Sequence, residues 1–286
     1  MATYNSKNTI YKIILINIVI MLIMFFSVYG CVSIEQSRLT AQEKYEYSEN
    51  CTLSEERADY NSDVQFVNIR SLKGGKLKDN YIFRGASPYL DNNRTAFVNN
   101  FLSKWEVKYV VSLSESKEQI DTYVNNDTVK DMYFPKKYNN NEIIDEALNY
   151  ESIDLNNSKD VKKIIKSFKS IIKSDGNIYV HCAIGRDRTG VYCELLEALA
   201  DASYEEIVND YMKSFENYSY LTYDLNPTKW EQIKSSGVDA TLHTITKTNA
   251  NDSLDNIDLC WCVKKLLVTN GMKETEIEEL INKITK

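Results

Sequence analysis

The stretch Ile178-Tyr179-Val180-His181-Cys182-Ala183-Ile184-Gly185-Arg186-Asp187-Arg188-Thr189-Gly190-Val191 decides the fold. A short apolar run, Ile178 to Val180, reads as a buried strand. It delivers Cys182 to a tight turn, and the turn closes with Arg188-Thr189-Gly190 where a helix opens. Backbone N–H groups of the 183–188 turn would form an inward-facing nest, and the helix adds its positive end. Such a loop holds a dianion, and the same field favours thiolate over thiol at Cys182. Arg188 offers a planar fork that matches two phosphoryl oxygens. Thr189 is placed to give its hydroxyl to the sulfur, and Gly185 lets the backbone approach the ligand. A buried structural cysteine beside a surface arginine would not require all these neighbours together.

His-Cys-x5-Arg-Thr-Gly resembles the signature loop of the cysteine-dependent protein tyrosine phosphatases. The form with Gly185, a basic residue at Arg186 and Asp187 is similar to a bacterial tyrosine and phosphoinositide phosphatase branch. Further motifs carry the likeness: Asn68-Ile69-Arg70 with Gly74-Gly75, Tyr81-Ile82-Phe83-Arg84-Gly85, and Ile207-Val208-Asn209-Asp210-Tyr211-Met212-Lys213-Ser214. It spans roughly residues 62–285 and is weakest between 215 and 253. Where the branch has Asp-Leu-Arg at the end of a core strand, this chain has Ser112-Leu113-Ser114, and no role is assigned there.

The resemblance implies a phosphomonoester hydrolase working through a cysteinyl-phosphate. Cys182 would be the nucleophile, and Arg188 would hold the equatorial oxygens. Ala183, Ile184, Gly185, Arg186 and Thr189 would line the phosphate site, with His181 tuning the cysteine. In the resembling branch the leaving-group proton comes from the aspartate five residues after the cysteine, here Asp187. Elsewhere in the superfamily the acid sits on a separate loop, for which Asp131 or Asp145 could serve. Arg186 suits substrates with extra phosphates, so a phosphorylated protein and a phosphoinositide both stand as partners. Inositol polyphosphates and a catalytically silent phosphate-binding module are the alternatives.

The fold class expected is α/β, with a mostly parallel central sheet flanked by helices, protein tyrosine phosphatase-like, and a helical C-terminal part. Strands are predicted over 64–68, 81–84, 107–113, 129–134 and 177–181, and a helix over 91–103. Val161, Ile164, Ile165, Phe168, Ile171 and Ile172 stripe another helix. The helix after the loop should bury one face through Val191, Leu195, Ala198 and Leu199. Ser203-x-x-Glu206 forms a capping box for the next helix. The aromatic segment 215–223 reads either as a lid or as a surface loop packed by tyrosines.

The chain has 286 residues, 43% of them hydrophobic, enough for one sizeable core behind a leader. Its formal net charge of −7 argues against nucleic acid as a partner. Residues 1–31 read as a targeting segment: Lys7 and Lys12 precede an apolar run from Ile13 to Tyr29. Val28-Tyr29-Gly30-Cys31 resembles a lipobox with Cys31 lipidated; an uncleaved membrane anchor is the other reading. Either puts the enzyme on the outer side of the cytoplasmic membrane, attached or secreted. Residues 32–61 read as a polar tether and 62–286 as the phosphatase domain. The six cysteines make no disulfide framework, and no metal-ligand spacing occurs, so neither metal nor cofactor is expected.

Overall fold

Strand β1 (Arg70–Ser71) pairs antiparallel with β2 (Ile82–Gly85) at one edge of a five-stranded sheet. The computed structural model describes residues 53–90 and 92–286; the leader, Cys31 and Cys51 lie outside the described residues. Strands β3 (Val107–Ser112), β4 (Ile144–Ala147) and β5 (Asn177–His181) complete the sheet in the order β1-β2-β5-β3-β4, parallel from β2 onward. The central strands are nearly all buried, as a sheet covered on both faces requires. The expected α/β architecture is present, and β5, at its centre, feeds the Cys182 loop.

The helices are α1 (Asp63–Phe66), α2 (Thr95–Lys104), α3 (Lys117–Tyr123), α4 (Tyr133–Asn139) and α5 (Ser158–Lys173). After β5 come α6 (Asp187–Leu199), α7 (Tyr204–Ser219) and α8 (Pro227–Lys234). A π-helical turn at Ser235–Asp239 leads into α9 (Ala240–Thr246), followed by α10 (Leu259–Thr269) and α11 (Glu274–Ile284). Among the described residues, no helix is long and apolar enough to cross a membrane.

Helix α6 packs on β5, α7 and α10, and it is buried almost all round rather than on one face. Tyr192, Cys193, Leu195, Leu196 and Ala198 reach no solvent, whereas Val191 is half-exposed. The stripe on α5 is buried except at Ile172, which is half-buried, and both halves of the Ser203–Glu206 capping box form.

Three local expectations are corrected. Residues 64–66 belong to helix α1 and 67–68 to the turn that ends it, not to a strand, because Ser62 accepts from Gln65 N and caps a turn begun by Asp63. Residues 129–134 are a turn entering α4, not a strand. Asn126 Oδ1 accepts from Thr128 N, and Pro135 sits in the first turn of the helix, where its missing donor costs nothing. The actual fourth strand is β4, read Ile-Asp-Glu-Ala; charged residues on an edge strand hide it from a periodicity search. The 215–223 segment is neither lid nor loop at its start but the last turns of α7, with Tyr218 in the core and Tyr220 as a left-handed cap.

Residues 53–61, expected in the tether, pack on the body instead. Tyr60 is buried against Phe66 and Tyr218, and Tyr220 Oη donates to Asp59 O at 2.7 Å. The aromatic character of Tyr60 outweighs the polar composition around it.

Candidate active site

The loop from Cys182 to Arg186 joins β5 to α6, and Cys182 lies at its start with 2% exposure. What shapes the loop is visible in its carbonyls. Ala183 O accepts from Ser87 N at 3.1 Å, and Ile184 O from Tyr218 Oη at 2.7 Å. Gly185 O accepts from Arg84 Nη2 and Asn68 Nδ2, each at 3.0 Å, and Arg186 O from Arg84 Nη2 at 3.2 Å. All four carbonyls are thus drawn outward by donors from elsewhere. In a trans peptide the N–H points opposite to the C=O, so the amides of residues 184–187 turn to the concave side. They form an anion nest reinforced by the N-terminus of α6.

The motif residues flagged by resemblance turn out to be this scaffold. Asp210 on α7 holds Arg84 and Arg70 together, with Arg70 Nε to Asp210 Oδ1 at 2.7 Å and Arg84 paired to Oδ2. Arg84 is 1% exposed. Burial opposes the charge on Asp210, but the two guanidinium groups hold its carboxyl below the usual range. Ser214 Oγ accepts from both Asn68 Nδ2 and Arg70 Nη2 at 3.1 Å.

Arg188 lies in the first turn of α6, and its Nη1 donates to Tyr150 O at 2.8 Å. Thr189 is fully buried, and its Oγ1 has no hydrogen-bond partner among the described residues. Asp187 is exposed at the first position of α6, 3.1 Å from Arg186 Nε. The Arg186 guanidinium also lies over the Phe215 ring at 4.9 Å from its centre. A cleft of about 620 Å3 opens beside this turn, walled by Glu151, Asp154, Asp187, Arg188, Tyr211 and Thr241.

The other acid candidates lie elsewhere. Asp131 is an exposed residue of the turn before α4. Asp145 on β4 turns its carboxyl to Ser112 Oγ at 2.8 Å. Burial pushes that carboxyl up to about 8. Ser112, the residue to which the sequence assigned nothing, is a hub. It also meets His181 Nε2 at 2.8 Å and accepts from Tyr89 Oη at 2.7 Å.

Two more buried acids line the inner side of α6. Glu194 and Glu197 are each 1% exposed and have no ion-pair partner among the described residues. Burial pushes Glu194 up to about 8 and Glu197 well above the carboxylate range. The only signal for them in the sequence was a pair of charges on a helix otherwise read as core.

The model of the tyrosine phosphatase family matches residues 65–286, so the chain belongs to that family. It is therefore a cysteine-dependent phosphatase, a phosphoric monoester hydrolase, and its substrates are phosphorylated. Among solved structures, P. aeruginosa TpbA in complex with pTyr is similar, with 12% identity and a TM-score of 0.32. That match covers 55% of this chain and 85% of the TpbA chain. No curated protein matches the chain.

Proposed function

We propose that the enzyme hydrolyses phosphotyrosyl proteins through a cysteinyl-phosphate at Cys182. The observation that carries this reading is the outward tethering of four consecutive loop carbonyls, which leaves an amide nest beside the Cys182 side chain. In the first step the Cys182 thiolate attacks phosphorus. The S–P bond forms as the bond to the tyrosyl oxygen breaks, and Asp187 gives its proton to the leaving oxygen. Water then attacks phosphorus as the S–P bond breaks, Asp187 takes the water's proton, and inorganic phosphate leaves the regenerated Cys182 thiolate. Arg188 and the loop amides hold the equatorial oxygens in both transition states. The unpartnered hydroxyl of Thr189 suits a hydrogen bond to the sulfur.

Asp187 is favoured as the acid over Asp145 because it follows the loop directly, exposed at the first position of α6, whereas Asp145 lies on β4 with its carboxyl hydrogen-bonded to Ser112. Phosphotyrosine is favoured over phosphoinositides because Arg186 is already engaged by Asp187 and Phe215 rather than free for a second phosphate. The leader read in residues 1–31 supports action outside the cytoplasmic membrane, through a lipid on Cys31 or an uncleaved anchor.

Phosphate release from a phosphotyrosyl peptide and from a phosphoinositide panel, for the wild type and Cys182→Ser, tests the proposal. The peptide should be turned over faster than any phosphoinositide, and the variant should be inert on both. A phosphoinositide preference would overturn the substrate reading; turnover by the variant would overturn the mechanism.

A further inference from the structure

The parallel register sets three side chains on one face of the sheet. Ser112 on β3 lies beside His181 on β5, and Asp145 on β4 stands opposite Val110, two residues back on the same face. The result is a continuous hydrogen-bonded line: Asp145 Oδ2 to Ser112 Oγ at 2.8 Å, Ser112 Oγ to His181 Nε2 at 2.8 Å, and His181 Nδ1 to Cys182 O at 3.2 Å.

Proton counting shows what this line can do. Ser112 has one proton and two lone pairs, and one lone pair is taken by Tyr89 Oη–H at 2.7 Å, nearer than that hydroxyl's other acceptor, Glu115 Oε2, at 3.3 Å. The remaining lone pair and proton face Asp145 and His181, and two arrangements satisfy Ser112 Oγ, Asp145 Oδ2 and both His181 nitrogens. In one, protonated Asp145 donates to Ser112, which donates to Nε2 of a neutral His181. In the other, imidazolium Nε2–H donates to Ser112, which donates to the Asp145 carboxylate. Nδ1–H donates to Cys182 O in both. The two hold the same number of protons. They interconvert as the Asp145 proton moves to Ser112 Oγ while the Ser112 proton moves to His181 Nε2.

We infer that Asp145 and Ser112 are positioning residues that hand His181 a proton when the neighbouring Cys182 becomes a thiolate, and recover it when the sulfur is phosphorylated. This rests on Cys182 being the nucleophile, as proposed above.

The surroundings bias the line toward the neutral arrangement at rest. Burial raises Asp145 and lowers His181. Around His181 stand the rings of Tyr89 and Tyr179, with Glu115 raising and Arg188 lowering its affinity for a proton. Around Asp145 stand Glu115 and Glu146, which disfavour its charge, and Lys117, which favours it. A thiolate in the adjacent residue adds a negative charge that favours imidazolium. No proton from solvent is needed, which matters for a fully buried histidine. A serine at position 112 is what permits the two-way transfer, since its hydroxyl donates in either direction.

The test is the pH profile of Cys182 alkylation by iodoacetamide in the full-length protein, followed by peptide mass mapping. Asp145→Asn and Ser112→Ala should each move the midpoint of the profile up by about one pH unit, slowing alkylation about ten-fold near pH 6. Near pH 9 the rates should equal that of the wild type, showing that the site is intact. Ser112→Thr, which keeps the hydroxyl, should leave the midpoint in place. Unchanged midpoints in Asp145→Asn and Ser112→Ala would overturn the inference, and if the alanine variant does not fold, Asp145→Asn decides alone. Because alkylation reports on the sulfur without turnover, failure of the wild type to hydrolyse phosphotyrosyl peptide would count against the proposed function and not against the relay.

Discussion

Gly185 and Gly85 meet backbone to backbone: a β-carbon on Gly185 would stand 2.1 Å from the Gly85 carbonyl oxygen. Gly185 also has φ +69°, a region that costs other residues roughly 1–2 kcal/mol. The catalytic loop is therefore seated directly on β2, with no side chain between them. Gly185→Ala should push the loop off that strand. We expect a loss of about 2 kcal/mol or more in urea unfolding and at least a ~100-fold fall in kcat with a phosphotyrosyl peptide. A variant with near-native kcat would show that the loop tolerates displacement.

The buried Arg70–Asp210–Arg84 cluster should behave as a unit. Asp210→Ala leaves two guanidinium groups without their counter-charge, a change that costs about 3–5 kcal/mol when the site is dry. Activity should fall as well, because Arg84 tethers the carbonyls of Gly185 and Arg186. Denaturant midpoints and kcat measured on the same preparation check both, and a stability change below about 1 kcal/mol would contradict the assigned role.

Asp187→Asn separates acid catalysis from phosphate binding. With a phosphotyrosyl peptide kcat should drop by about 10²–10⁴. With a nitrophenyl phosphate, whose leaving group needs no proton, the drop should be far smaller. Equal losses on the two substrates would remove Asp187 as the acid.

Stability should depend on pH through Glu194. Burial pushes its carboxyl up to about 8 in the folded protein, above the unfolded value of roughly 4.3. A group raised in this way contributes its stability fully below the unfolded value, and that contribution is lost as pH climbs toward 8. The wild type should therefore weaken between about pH 4.5 and 8. Glu194→Gln should flatten the curve over that window. Parallel curves for the two proteins would show that Glu194 titrates normally.

The Cys182 loop was legible because its pattern is local: strand, Cys182, Arg188 and helix start lie within a dozen consecutive positions. The helical stripes and the Ser203–Glu206 cap were legible for the same reason. What could not be read is whatever depends on distant residues meeting. Arg84 supports a carbonyl 101 positions away, and Asp145 reaches Ser112 across 33. Strand β4 escaped notice because its acids are taken up by partners, Asp145 by Ser112 and Glu146 by Lys166 and Ser170, while Ile144 is exposed, which erases hydrophobic alternation. Helix α1 escaped because a single serine cap outweighed its β-branched neighbours.

The Tyr211 ring is held between two glycines from different parts of the chain. A β-carbon on Gly190 would fall 2.7 Å from the ring, and one on Gly237, in the π-helical turn, 2.3 Å from its hydroxyl. Gly190 is two residues beyond Arg188, so the ring links the catalytic turn to the helices that follow α8 with nothing compressible in between. The consequence is mechanical. A shift of the π-helical turn, which walls the cleft through Ser236 and Gly237, must be passed on to the start of α6. Whatever fills the cleft thereby bears on Arg188, the residue proposed above to hold the phosphate.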